Sequence, residues 1–347
     1  LKIHKGNIKI ENTDGNILIG EYNDKDNYIQ TKDGNITINQ TNGNILNGIV
    51  DTNTEAKHQN YDLGNPNSAY KTLISSNGDL TINITDGDIG KTSHNNPGVG
   101  IDADTRDYTE SINVNVAGNV TAKAVNDNNS DKRLINIRAK ESDLNVKYIQ
   151  SDGNVILTAA DWKQADETPT AGDSEYFVGY SVNNTAENGN AAVTGQNISV
   201  IASNNIGDED NKFVYKQDTL NAPNSSVSFE AENGLYTIGR SNSDNEIIVN
   251  KMISKHGSMN IDLEGNTLIR EITADGGLNI TQKAQNLIIY SIGKSISQNE
   301  SAESFNDILY PHDNIKLSSS NSDINELQEV LIDELMPHKE IKGINVD

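Results

Sequence analysis

Asp33 to Gly48 reads "DGNITINQTNGNILNG" and states one phrase twice: Gly34-Asn35-Ile36-Thr37-Ile38, then Gly43-Asn44-Ile45-Leu46 nine residues later. Gly and Asn tolerate the left-handed backbone of a tight bend, and an apolar-x-apolar triplet places two side chains on one face of a strand. The phrase therefore reads as corner, short strand, corner, short strand. Strands this short cannot form a core alone. Stacked in parallel, coil upon coil, they bury a continuous ladder of Ile, Val and Leu.

The same unit recurs along the chain. It appears as Gly6-Asn7-Ile8-Lys9-Ile10, Gly15-Asn16-Ile17-Leu18-Ile19, Gly78-Asp79-Leu80-Thr81-Ile82 and Gly118-Asn119-Val120-Thr121-Ala122. Later copies are Ser142-Asp143-Leu144-Asn145-Val146, Gly153-Asn154-Val155-Ile156-Leu157, Gln196-Asn197-Ile198-Ser199-Val200, Gly257-Ser258-Met259-Asn260-Ile261 and Gly277-Leu278-Asn279-Ile280. Gly6 and Gly34 stand 28 residues apart, the spacing of about three strands per coil. Polar stretches interrupt this register at about 47–71, 103–111, 126–133, 161–190 and 300–314, and a solenoid accommodates them as loops that leave the coil sideways. The expected architecture is an all-β parallel β-helix over 1–322 with lateral loop insertions. In the remaining 323–347, Ile324, Leu327, Val330, Leu331 and Leu335 recur at helical spacing, from a Ser322 or Asp323 cap to a stop at Pro337. This predicts a short C-terminal helix that caps the last coil.

Composition agrees with a repetitive β fold. Hydrophobic residues are 34% of the 347 and aromatics 5%, lean for an ordinary globular core, yet the alternating Ile and Val runs separate the chain from disorder. A net charge of −23 disfavours nucleic acid, whose phosphates must be met by Lys and Arg. There is no cysteine, so disulfides and thiolate metal sites are excluded. No apolar run approaches the ~20 residues of a membrane-spanning helix. The chain opens at Leu1 without a signal peptide, which is expected of a piece cut from a longer protein.

The stretch from Gly78 to Asp161 carries GDLTI, a GDIG turn at Gly87–Gly90, NP-x-x-x-ID at Asn96–Asp102, then GNVTAKA, SDLNV and SDGNVILTA, with a looser second copy in QNISVIASNNIG, SSVSFEAENGLYTIG and HGSMNIDLEG. It resembles the filamentous haemagglutinin-like exoproteins of Gram-negative bacteria, large surface and secreted adhesins often exported by two-partner secretion. The resemblance implies a right-handed β-helix, an extracellular or cell-surface location and an outer-membrane transporter for the full-length protein. It also implies a non-enzymatic stalk that offers loops to a host-cell or bacterial receptor, protein or glycan. The family's secretion-domain motif, Asn-Pro-Asn followed by Gly or Leu, is not matched: Asn65-Pro66-Asn67 precedes Ser68 inside an insertion. A stalk that delivers a cytolysin or contact-inhibition toxin, and a β-helical polysaccharide lyase or hydrolase, are the alternatives.

Candidate sites fall in the insertions. Trp162, the only tryptophan, joins Tyr176, Phe177 and Tyr180 in one loop, and Tyr61 and Tyr70 lie in another; such rings stack on sugars or anchor a protein, and they also pack loops onto a coil. Asp102, Asp104 and Asp107 have the spacing of a calcium loop, but Asp107 and Asn113 stand where an EF-hand wants Gly and Glu, so the competing reading is solvated loop charge. No other cofactor is expected. The six histidines are scattered, and neither a nucleophile elbow nor a phosphate loop occurs.

Overall fold

A computed structural model describes residues 1–20, 28–47, 72–91, 111–126, 132–139, 142–159, 179–187, 189–218, 225–241, 246–283, 287–289, 292–293, 315–319 and 344–346. Every regular element among them is a strand, and every strand pairing is parallel. The chain is a parallel β-helix. The 28-residue spacing is its first coil: Lys2 pairs with Gln30, Ile8 with Ile36 and Ile17 with Ile45.

Three walls are built in turn. The first begins with Lys2–Lys5, Ile29–Asp33, Ile74–Ser76 and Ile112–Val116. The second begins with Ile8–Asn12, Ile36–Asn42, Leu80–Asp86 and Val120–Ala124, and continues through Leu144–Ser151, Val193–Gly195, Phe213–Gln217, Leu235–Ser241, Met259–Leu263 and Leu278–Gln282. Ile17–Ile19 and Ile45–Asn47 start the third. From Leu134–Ala139 onward the third and first walls share longer strands: Ile135 pairs with Ile89 of the third wall, and Ile137 with Ile112 of the first. Asn154–Ala159, Asn197–Ala202, Val227–Ala231 and Ile247–Ser254 follow that pattern.

One interior ladder runs the length of the coil: Ile17, Ile45, Ile89, Ile135, Val155, Ile198, Val227, Val249, Ile269 and Ile289, each paired with the next. Ile17 is half-buried in the first coil and the others are buried. Burial of an Ile or Val side chain contributes about 1.5–3 kcal/mol, so a core one side chain deep is built from a lean composition by repetition. Each coil supplies the apolar partner that the next one needs.

The corners explain the Gly-Asn phrase, and not by left-handed Asn. In the stack Gly6, Gly34, Gly78, Gly118, a Cβ on Gly34 would lie 2.1 Å from the Gly6 carbonyl oxygen and one on Gly78 2.5 Å from that of Gly34. Glycine is required because backbone sits on backbone. The residue that follows bridges coils: Asn7 Oδ1 accepts from the Asn35 N–H (2.9 Å), Asn35 Oδ1 from Asp79 (2.8 Å) and Asp79 Oδ1 from Asn119 (2.7 Å). A second corner repeats the device through Asn16, Asn44 and Asp88, which receive the N–H groups of Asn44, Asp88 and Leu134.

The predicted C-terminal helix falls outside the described residues. Near it, Ile315–Ser319 pairs with Leu278–Gln282, and Ile344–Val346 pairs with Ile315–Ser319, both in the second wall.

Candidate functional site

Where the chain leaves the coil is a matter of wall order. It departs after Asn47 and after Lys91, in both cases from the corner between third and first walls, and after Ala159 from the corner between first and second. The insertions at 48–71 and 92–110 thus spring from the same edge of the solenoid on consecutive coils. Their attachment points touch: Asn47 Nδ2 donates to the Ser111 carbonyl (3.2 Å), and Ser111 Oγ donates to Asn113 Oδ1 (2.8 Å).

Beside that edge, part of the outward side of the middle coils is buried where an exposed sheet face would be polar and wet. Asn113, Asn136, Arg138, Ile156, Thr158 and Ile201 all point away from the ladder residues and all are buried, Arg138 to 1% exposure. Asn136 Nδ2 donates to the Lys91 carbonyl (3.0 Å). A guanidinium leaves water only where its environment offers compensating charge or acceptors, so this patch is enclosed, mixes polar with apolar side chains and adjoins two points of chain departure.

The aromatic insertion is pinned at both ends to one corner. Ser203 N–H donates to the Ala159 carbonyl (2.9 Å) where the chain leaves, and Tyr180 N–H donates to Ser203 Oγ (2.9 Å) where it resumes. Asn204 N–H then donates to the Tyr180 carbonyl (3.0 Å), and Ser181 N–H to Asp143 Oδ1 (2.8 Å). The coil resumes at Gly179, and Val182–Asn184 is a strand of the second wall within the stretch expected to be insertion up to residue 190. Of the predicted ligand-binding residues, Tyr180 is partly buried against the core and fixes the loop's return. Trp162, Tyr176, Phe177, Tyr61 and Tyr70 lie outside the described residues, as do Asp102, Asp104 and Asp107.

Charge gathers at a corner of the middle coils. Arg133 pairs with Asp86, Arg133 N–H donates to Asp152 Oδ1 (2.9 Å), and Leu134 N–H donates to Asp88 Oδ1 (2.8 Å). Burial raises the Asp88 carboxyl above the usual aspartate range; the Leu134 N–H and Arg133 oppose the shift, while Asp152 and Asp86 add to it. Asp88 takes the corner position that Asn16 and Asn44 hold in the coils before it. Asp208 does similar work, its Oδ1 accepting the N–H groups of Asp210 (2.9 Å) and Asn211 (2.7 Å) as an Asx turn. Among the described residues, no group of three or more His, Cys, Asp or Glu is placed to hold a metal ion, and no helix is long and apolar enough to cross a membrane.

Sequence reasoning missed the enclosed patch around Arg138 because outward positions are read as solvated, and only the apolar Ile156 and Ile201 at alternate places signalled otherwise. No family model, curated protein or solved structure matches the chain, so the resemblance to filamentous haemagglutinin-like proteins rests on the motifs quoted above.

Proposed function

We propose that this chain is a non-enzymatic stalk segment of a large bacterial surface or secreted adhesin, a β-helix that carries insertion loops for attachment to a receptor on a host or bacterial cell. The observation that supports this reading is the combination of an unbroken ladder from Ile17 to Ile289 with a chain that departs from it at corners after Asn47, Lys91 and Ala159 and later resumes the same ladder. Such a frame tolerates whatever its insertions contain, because each coil is completed by its neighbours.

The geometry also makes the test clean. Ala159 and Tyr180 both bond to Ser203, so residues 160–178 can be replaced by a short Gly-Ser linker without moving the coil. The expected result is a variant with unchanged far-ultraviolet circular dichroism that no longer attaches to cells bound by the full chain. Undiminished attachment would remove the aromatic loop from the site, and failure of the full chain to attach to any host or bacterial cell tested would remove the adhesin reading.

A further inference from the structure

Lys212 is fixed where the chain passes from a turn into the second wall. The turn closed by Asp208 precedes it, Asn184 Nδ2 donates to its carbonyl (2.7 Å), and Asn211 Nδ2 donates to the Asn184 carbonyl. From there its side chain reaches across one whole coil. Asn260 and Asp262 are alternate residues on the outward side of Met259–Leu263, in register with Tyr236 and Ile238 of the intervening coil. Lys212 Nζ donates to Asn260 Oδ1 (2.8 Å) and pairs with Asp262 Oδ2 (2.9 Å).

Three features set this contact apart from a surface ion pair. It is the most enclosed lysine pair among the described residues, its side chains 16% and 20% exposed where those of Lys9 and Glu11 are 61% and 63%. The lysine nitrogen meets an amide as well as a carboxylate, so a nucleophile, an acyl carbon and a proton carrier share one site. The acyl carbon lies one C=O bond, about 1.2 Å, beyond the oxygen that Lys212 touches. Finally, Asn260 Oδ1 accepts a second N–H, from Asn279 Nδ2 of the next coil (3.4 Å), whereas the Asn260 amide nitrogen has no hydrogen-bond partner among the described residues. Asn279 Oδ1 is itself buried without a partner, so the Asn279 amide is held to this site by its nitrogen end alone.

We propose that Lys212 and Asn260 condense into an isopeptide cross-link, with Asp262 as the proton carrier. Asp262 takes a proton from the Lys212 ammonium, and the freed amine adds to Asn260 Cγ while the Asn279 N–H stabilises the charge that develops on Oδ1. The Nζ–Cγ bond forms and the Cγ–Nδ2 bond breaks. Asp262 relays protons from Nζ to Nδ2, which leaves as ammonium, and Asp262 is ionised again at the end. Atoms and charge balance, and nothing is oxidised or reduced. The bond ties one coil to the next but one, across 48 positions, in a chain that has no cysteine for a disulfide. Like a disulfide, it restricts the unfolded chain. The inference is independent of the adhesin reading.

The intact mass of the full chain, folded and then denatured, tests the proposal. The expected mass is lower than that of the sequence by one ammonia, with a tryptic map in which Lys212 is uncut and its peptide is joined to the one that holds Asn260. Lys212→Arg, Asn260→Ala and Asp262→Asn should each show the full mass of its own sequence. The parent should melt several degrees above Lys212→Arg, which retains the positive charge. A succinimide at an Asn-Gly step also loses ammonia, but mild base opens it with uptake of water and leaves an isopeptide intact. Circular dichroism identifies any variant that misfolds, and each substitution alone prevents the bond, so one folded variant reads the result. The proposal is overturned if the parent keeps its full sequence mass, if mild base replaces the lost ammonia with water, if the joined peptides link other residues, or if folded Lys212→Arg is also short of one ammonia. Cross-linking retained in Asp262→Asn would overturn the role of Asp262.

Discussion

Tyr215 and Gly239 form a matched pair in adjacent coils of the second wall. A Cβ on Gly239 would stand 2.4 Å from the Tyr215 hydroxyl oxygen, so the glycine is the space into which the ring extends, with Phe229 packed against it at 4.8 Å between centroids. Gly239→Ala should therefore cost about 2 kcal/mol, read as a lowered urea midpoint. The buried Tyr215 hydroxyl has no hydrogen-bond partner, and burial pushes its ionisation far above the usual phenol range. Tyr215→Phe should accordingly be neutral or stabilise by up to about 1 kcal/mol. Asp88 offers a test with a pH signature. Because its folded pKa is raised, the contribution it makes when protonated is fully present below about 3.8, the ordinary value, and is lost as pH rises through the folded value. Asp88→Asn, which restores the residue type of Asn16 and Asn44 in the same ladder, should raise the melting temperature at pH 7 and lose that advantage below about pH 3.8. An equal gain at both pH values would show that charge is not the cause.

At the scale of a strand and its neighbours, the outer charges have the opposite sign of effect. Burial disfavours the charged Glu264 carboxylate, but Lys283 (2.9 Å) and Arg240 (2.6 Å), from the coils on either side, outweigh it and hold its pKa low. That clamp contributes stability above the ordinary glutamate value of 4.5 and loses it as pH falls through the lower folded value. Glu264→Gln should thus destabilise by no more than about 1 kcal/mol at pH 7, and the difference should vanish in acid. The walls themselves were legible in the sequence, because a triplet such as Ile36-Thr37-Ile38 states by alternation which side faces the core. What alternation does not encode is the outside. Nothing local distinguishes Arg138, enclosed, from Lys123, exposed, since both follow an inward residue on a strand. The second role of Asn was hidden for the same reason: Asn35 reads as a corner residue, and its bond to the Asp79 N–H spans 44 positions.

The whole molecule is a sum of neighbour contacts, and its length should be adjustable in whole coils. Met259 pairs with Leu278, 19 residues on, so deleting 259–277 sets Leu278 where Met259 stood against Leu235. That variant should fold, with strand-type circular dichroism and a somewhat lower melting temperature, whereas deleting half as many residues should leave it open to proteolysis because every inward side chain downstream loses its wall. The ladder from Ile17 to Ile289 has a mechanical corollary. Its hydrogen bonds lie along the axis, so tension applied to the two ends loads them one coil after another. Each coil that opens releases its own contour together with any insertion spliced into it. The yield is largest where the chain leaves at Asn47, Lys91 and Ala159 and smallest at the 19-residue coil. Extension under force should appear as unequal steps, the longest where residues 48–71, 92–110 and 160–178 are spliced into a coil.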